Sequence, residues 1–270
     1  MKFDNYYASE IEPNAIKITM KNYPNTIQLG DVKTVKGEDL PKIDLLIGGS
    51  PCQDLSSIKS TSRKGLNGEK SRLFWEFVRV LKETKPNYFL LENVAGMTEE
   101  SRNIISEELG VKPVFIDSKY FSAQERPRLY WTNLPVITDN LIENPTVLGD
   151  ILETNVEEKY FYNYPLLNVD MSKQVCAIMD HKNHEMHKRI FNPAFKMRTL
   201  TTCGGGNTQK KVYINGRARK LTPIEYERLQ TLPDNYTSGV ANTHRYTACG
   251  NGWTVDVIAF IFQYLKNQTI

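Results

Sequence analysis

At 270 residues the chain has room for one large domain, alone or with an insertion. With 40% apolar and 10% aromatic residues it can fill a core, which excludes a disordered chain. Its net charge of only +3 is unevenly spread: residues 181–220 hold ten Lys or Arg against one acid, Glu185. An acidic body with one basic segment predicts a polyanion-binding face, with a flexible basic loop as the plainer alternative. No apolar run reaches about 18 residues and no charged-apolar leader opens the chain, so the expectation is a cytoplasmic protein with no membrane partner. The cysteines at 52, 176, 203 and 249 form no C-x-x-C pair, as suits reduced thiols.

In chain order, Asn5 to Ser9 reads as a strand ending on Glu10, and Pro13 opens a helix to about Tyr23. Ile27 to Gly30 leads to a second acid, Asp31. Acids at the ends of successive strands suit ribose and base contacts in doubly wound nucleotide folds. Ile43 to Ile47 is a buried strand that runs into Gly48-Gly49-Ser50-Pro51-Cys52-Gln53-Asp54-Leu55-Ser56. That abrupt turn makes Cys52 a candidate nucleophile, the alternative being a small buried thiol. Ser56 to Lys70 is a polar, basic loop. A helix over Ser71–Glu83 buries Leu73, Phe74, Phe77, Val80 and Leu81. The next strand, Tyr88 to Leu91, ends on Glu92-Asn93-Val94. A cysteine and a carboxylate then stand at the mouths of two strands joined by one helix.

Val114–Asp117 and Leu129–Trp131 read as strands flanking Gln124-Glu125-Arg126-Pro127-Arg128. Arginines at i and i+2 of an extended segment point the same way, into a cleft or out from a surface hairpin. From 132 to about 215 the hydrophobic periodicity breaks up, which predicts an inserted second domain between a catalytic unit at 1–131 and its continuation at 216–270. Met197 to Thr202, with Arg198 and Thr201, opens into Gly204-Gly205-Gly206 and could enter a DNA groove. Cys176, His181, His184 and His187 fit no common zinc spacing, so no metal is expected. Thr222-Pro223-Ile224-Glu225 is a capping box that starts a helix ending before Pro233. Gly250-Asn251-Gly252 reads as a returning loop and Val255 to Leu265 as a closing helix.

Pro51-Cys52-Gln53, Glu92-Asn93-Val94, Gln124-Glu125-Arg126-Pro127-Arg128, Arg219-to-Gln230 and Gly250-Asn251-Gly252-Trp253-Thr254-Val255 together resemble, in order, the motifs of the DNA (cytosine-5)-methyltransferases. The last is nearest to the de novo-type enzymes and their phage relatives. The resemblance implies an α/β, doubly wound S-adenosylmethionine-dependent fold with a small target-recognition insert. It implies methyl transfer to carbon 5 of a cytosine flipped out of double-stranded DNA. Cys52 would attack, Glu92 would hold the ring's nitrogen edge, Arg128 its carbonyl oxygen, and Arg126 would order Glu92 and a phosphate. Glu10, Ile11, Asp31, Val32, Pro51, Asn251, Gly252 and Trp253 would hold S-adenosylmethionine. Gln53, Ser56, Arg63, Lys64, Gln124, Arg198, Thr201, Gly204 and Gly205 would meet DNA.

One motif departs. No F-x-G-x-G occurs, and only nine residues precede Glu10, where a strand, glycine-rich turn and helix need roughly 20 or more. The expectation is a sheet lacking its first strand and helix, completed by a lost upstream segment or by a second chain. A DNA-binding paralogue without turnover is the alternative. A cysteine hydrolase would need a histidine partner, and all four histidines lie at 181 or beyond.

Overall fold

The computed structural model describes residues 4–49, 72–182, 184–203 and 207–266. Its centre is a four-stranded sheet in the order β3-β4-β7-β5, formed by Leu45–Gly49, Tyr88–Val94, Pro127–Thr132 and Val114–Asp117 respectively. Strand β3 pairs in parallel with β4, through the helix α2 (Arg72–Thr84), so the predicted strand-helix-strand unit is present. Strand β7 lies antiparallel between β4 and β5.

Period-2 alternation divides β4 between two cores. Phe89 and Leu91 join Phe74, Phe77 and Val78 of α2, Ile105 and Leu109 of α3 (Glu99–Leu109), and Trp131. Leu90 turns the other way, onto Ile116, Tyr130, and Val257 and Ile261 of α7 (Val255–Lys266). Helices on both faces explain why the first four residues of β4, Tyr88 to Leu91, form a continuous apolar run.

Strands β1 (Tyr7–Ala8) and β2 (Ile27–Gln28) form a parallel pair of their own, joined by α1 (Pro13–Asn22). Pro13 stands at the start of that helix and the Glu12 side chain caps it. Arg79 of α2 ties the unit down by donating to the carbonyls of Val32 and Val35. None of Leu45, Leu46 and Ile47 is fully buried, whereas Phe89 and Leu90, the β4 residues beside Leu46 and Ile47, are.

Beyond β7 a six-stranded sheet runs β8-β14-β13-β11-β10-β9. These strands are Phe161–Tyr162, Arg217–Lys220, Lys211–Ile214, Arg189–Phe191, Val175–Met179 and Leu166–Leu167. A short α4 (Glu185–Lys188) precedes β11. Strand β12 (Met197–Arg198) leaves that sheet and pairs in parallel with β6 (Gln124–Glu125).

Three boundaries differ from expectation. Strand β14 extends the second sheet past residue 215, because Lys211–Ile214 and Arg217–Lys220 form one hairpin. Residues 250 and 251 do not belong to a loop; they end α6 (Asn242–Asn251). Helix α5 (Pro223–Leu229) begins on the predicted capping box, but both it and α6 pack on Leu148, Phe191, Met197 and Val212 of the second unit. Of these three C-terminal helices, α7 is the one that joins the core of the central sheet.

Candidate active site

The β3–β4 register places Gly49 opposite Glu92. Glu92 lies within β4, two residues short of its end, not on the loop beyond it. Across the antiparallel ladder Glu92 faces Tyr130, so Arg128, two residues away on β7, shares its side of the sheet. Arg128 Nε stands 2.7 Å from Glu92 Oε1, with both side chains only 11–12% exposed. Trp253, just before α7, donates its indole Nε1–H to Glu92 Oε2 at 3.2 Å. A Cβ on Gly49 would lie 3.3 Å from that indole nitrogen and 3.4 Å from Oε2, so the glycine gives the group its room. The Tyr130 hydroxyl is held strongly in its neutral form by burial, reinforced by the charge of Glu92.

Cys52 follows Gly49 by three positions and, with Pro51, Gln53, Ser56, Arg63 and Lys64, lies outside the described residues, as does the loop over 56–70. The other three cysteines are buried free thiols. Burial raises all three, Cys249 to about 12, which suits core packing and not attack.

The glutamine–arginine motif does different work from that expected of it. Gln124 is fully buried. Its amide donates to Leu229 O (3.1 Å) and Gln230 Oε1 (3.0 Å) and accepts from Leu200 N (2.8 Å). Arg126 is 3% exposed. It sits between β6 and β7, and its guanidinium donates to the carbonyls of Leu200, Gly250 and Gly252. Arg126 and Arg128 therefore do not share one cleft. Gln230, quoted only as part of a helix motif, is the partner sequence reading missed. Its amide donates to Cys249 O and Gly252 O, and its oxygen accepts from Thr254, which also bonds Ser118. Together these side chains fix the segment 250–254 that carries Trp253.

At the far side, Glu10 and Asp31 follow paired strands, and Ser9 Oγ bridges to Gly30 O between them. Glu10 Oε1 accepts from the backbone N–H groups of Ile11 and Glu12 at 2.8 Å, and Asp31 caps the turn at Lys33. Ile11 is 69% exposed beside this acid, and Val32 is half-buried beside the other. Two fixed carboxylates with apolar surface next to them match what an adenosine offers, hydroxyls and an amine around a flat ring. The residues present fit that part of S-adenosylmethionine. Asn251 is exposed at the end of α6, while Gly252 turns its carbonyl inward to Gln230 and Arg126.

The residues expected to meet DNA are only partly displayed. Arg198 is exposed, held by Gln174 and Glu125; Thr201 is half-buried; Gly204 and Gly205 lie outside the described residues. Several of the ten basic residues at 181–220 point inward. Lys196 and Lys211 each donate to three backbone carbonyls and Arg219 pairs with buried Glu225, whereas Arg217 meets Glu158 at the surface. Burial lowers Lys211 to about 8. The basic excess is thus partly internal framework, and a smaller share faces solvent than the charge count predicts. Among the described residues no set of His, Cys, Asp and Glu is placed for a metal, and no helix is long and apolar enough to cross a membrane.

The family model for C-5 cytosine-specific DNA methylases matches residues 1–267. The chain belongs to that family. Its members are enzymes that use S-adenosylmethionine as methyl donor, so the doubly wound α/β reading stands. Among curated methylases it is 27% identical over 279 residues to the type II methyltransferase M1.ScrFI of Lactococcus lactis subsp. cremoris, covering 95% of this chain and 70% of that one. It is 24% identical over 404 residues to the orphan methyltransferase M.SPBetaI of Bacillus phage SPbeta, covering 95% and 90%. Among solved structures, the Entamoeba histolytica methyltransferase EhMeth shares the fold with a TM-score of 0.72 at 18% identity, covering 98% and 90%.

Proposed function

We propose that this methylase works by a covalent Cys52 adduct on a cytosine turned out of duplex DNA. The observation that carries the reading is the Glu92–Arg128 pair, two half-sequestered polar groups beside the glycine that leads directly to Cys52. Carbon 5 of cytosine is a poor nucleophile. Addition of the Cys52 thiolate at carbon 6 makes the ring an enamine, whose carbon 5 can attack. Glu92 takes the N3 and exocyclic-amine edge with its remaining lone pairs and Arg128 the carbonyl oxygen with its remaining N–H groups, so the pair keeps its mutual bond and stabilises the charge that builds there. Loss of the carbon-5 proton to solvent then expels Cys52 and restores the aromatic ring. Bound S-adenosylmethionine supplies the electrophilic methyl group, with Glu10, Ile11, Asp31 and Val32 at its adenosine end. Flipping costs a few kcal/mol, offset by contacts from the exposed recognition residues around Arg198 and Thr201.

The test is transfer of a tritiated methyl group to unmethylated bacteriophage λ DNA. DNA containing 5-fluorocytosine, whose carbon 5 has no proton to lose, serves as a trap. Wild type is expected to label DNA and to form a denaturant-resistant complex with the trap. Cys52→Ala is expected to do neither, and Glu92→Gln to lose at least 100-fold in turnover. A Cys52→Ala variant that still labels DNA would sink the covalent route.

We further propose that a glycine-rich strand from a second chain completes the sheet. The half-buried apolar residues of β3, and a β1–β2 pair that is separate from the main sheet, favour this arrangement, since parallel strands are ordinarily covered on both sides. Calorimetric titration of S-adenosylmethionine, with and without a peptide carrying such a strand, tests it. Equal affinity in both titrations refutes it.

A further inference from the structure

We propose that Trp253 is a positioning residue for Glu92, holding the carboxylate ready for the base as well as bordering the cofactor. The inference rests on the methyltransferase reading above. A glutamate's terminal torsion is broad and soft, so a carboxylate tied at one oxygen still swings. Here each oxygen has its own donor: the Arg128 guanidinium on Oε1 and the Trp253 indole on Oε2. Indole N–H donates only, and one donor per oxygen leaves each oxygen a further lone pair. The carboxylate is therefore fixed in one plane while it can still accept from a cytosine amine.

The indole is held as firmly as the group it holds. The carbonyl of Gly252, the residue before it, accepts from both Arg126 and Gln230. The Thr254 hydroxyl, on the residue after it, bonds Gln230 and Ser118. Val255 N then donates to Gln230 O as α7 begins. On its other side the ring edge meets the bare α-carbon of Gly49, where a Cβ would be 3.3 Å from the nitrogen. This gives Arg126, Gln124 and Gln230 a reason to lie buried behind the site. They act on Glu92 through the loop and the indole, without touching the base.

Trp253→Phe keeps an aromatic side chain, with a smaller ring, and removes the N–H. The expected result is a kcat lowered about tenfold on λ DNA with KM for S-adenosylmethionine within twofold of wild type. A raised KM at unchanged kcat would make Trp253 a cofactor platform only and overturn the inference, as would unchanged kinetics. A second measurement needs no turnover. In protein carrying 15N-labelled tryptophan, the Trp253 indole signal, assigned by its absence in Trp253→Phe, should move in Glu92→Gln while the signals of Trp75 and Trp131 stay. An unmoved Trp253 signal overturns the contact itself. Failure of wild type to methylate counts instead against the parent reading.

Discussion

Gln124 offers the sharpest test, because surface and interior roles predict opposite results. Leucine at this position puts an apolar side chain of similar bulk in place of the amide and removes three hydrogen bonds. Gln230 Oε1 keeps a donor in Thr254, so two partners, Leu200 N–H and Leu229 C=O, are left unpaired in a fully buried place. An unsatisfied buried polar group costs about 1–3 kcal/mol, so the substitution should destabilise by about 3 kcal/mol. In a chain of this size that is a fall in Tm on the order of 6–12 °C. Urea unfolding of wild type and Gln124→Leu, with the slope checked for equality, gives the free energy. Fluorescence anisotropy with labelled duplex DNA, run well below the variant's midpoint, gives affinity. Unchanged stability with a tenfold loss of DNA affinity would refute the interior role.

Gly250→Ala would bring a Cβ within 2.6 Å of Thr201 backbone atoms, where no flexible side chain can yield. A loss of about 2–3 kcal/mol in urea unfolding is expected, and a loss under 0.5 kcal/mol would contradict the packing. Arg219→Met leaves Glu225 charged and buried, since two bonds at 2.8 and 2.6 Å disappear at once; about 3–5 kcal/mol should be lost, read from the same unfolding curves. Cys249 carries a pH signature. Its folded thiol is raised to about 12, above an unfolded value of about 8.5, so the folded state binds the extra proton. Its contribution is therefore full below about pH 8.5 and is lost as pH rises towards 12, at no more than about 1.4 kcal/mol per pH unit. Relative to Cys249→Ala, wild type should lose stability across that window; parallel curves would refute the shift.

What the sequence made legible was local. The apolar runs at 43–47 and 88–91 announced parallel strands, Pro13 and the Thr222–Glu225 box announced helix starts, and all four appear within a few residues of the predicted places. Glu92 could be singled out because a carboxylate after an apolar run is out of character for a buried strand. The interior bonds of Gln124 and Arg126 were not legible because polar residues between two strands look the same whether they face water or carbonyls distant in the chain. Their partners, at 200, 229, 230, 250 and 252, carry no local mark of the pairing. The same holds for Lys196 and Lys211, whose three-carbonyl cages are assembled from separate turns. Charge counting cannot tell a caged ammonium from a displayed one.

The pairing of β12 with β6 has a consequence for exchanging recognition units between methylases. A graft cut at residues 132 and 215 would carry β12 away while leaving β6 behind, and would split the β13–β14 hairpin. Such a hybrid would have to rebuild strand ladders at both seams before it could read any new sequence. Junctions that keep 124–126 with 197–200, and 211 with 220, respect the weave of the chain. If the second unit carries specificity, as proposed above, it is transplanted with part of the first unit attached, and two methylases that differ there would be poor donors for each other.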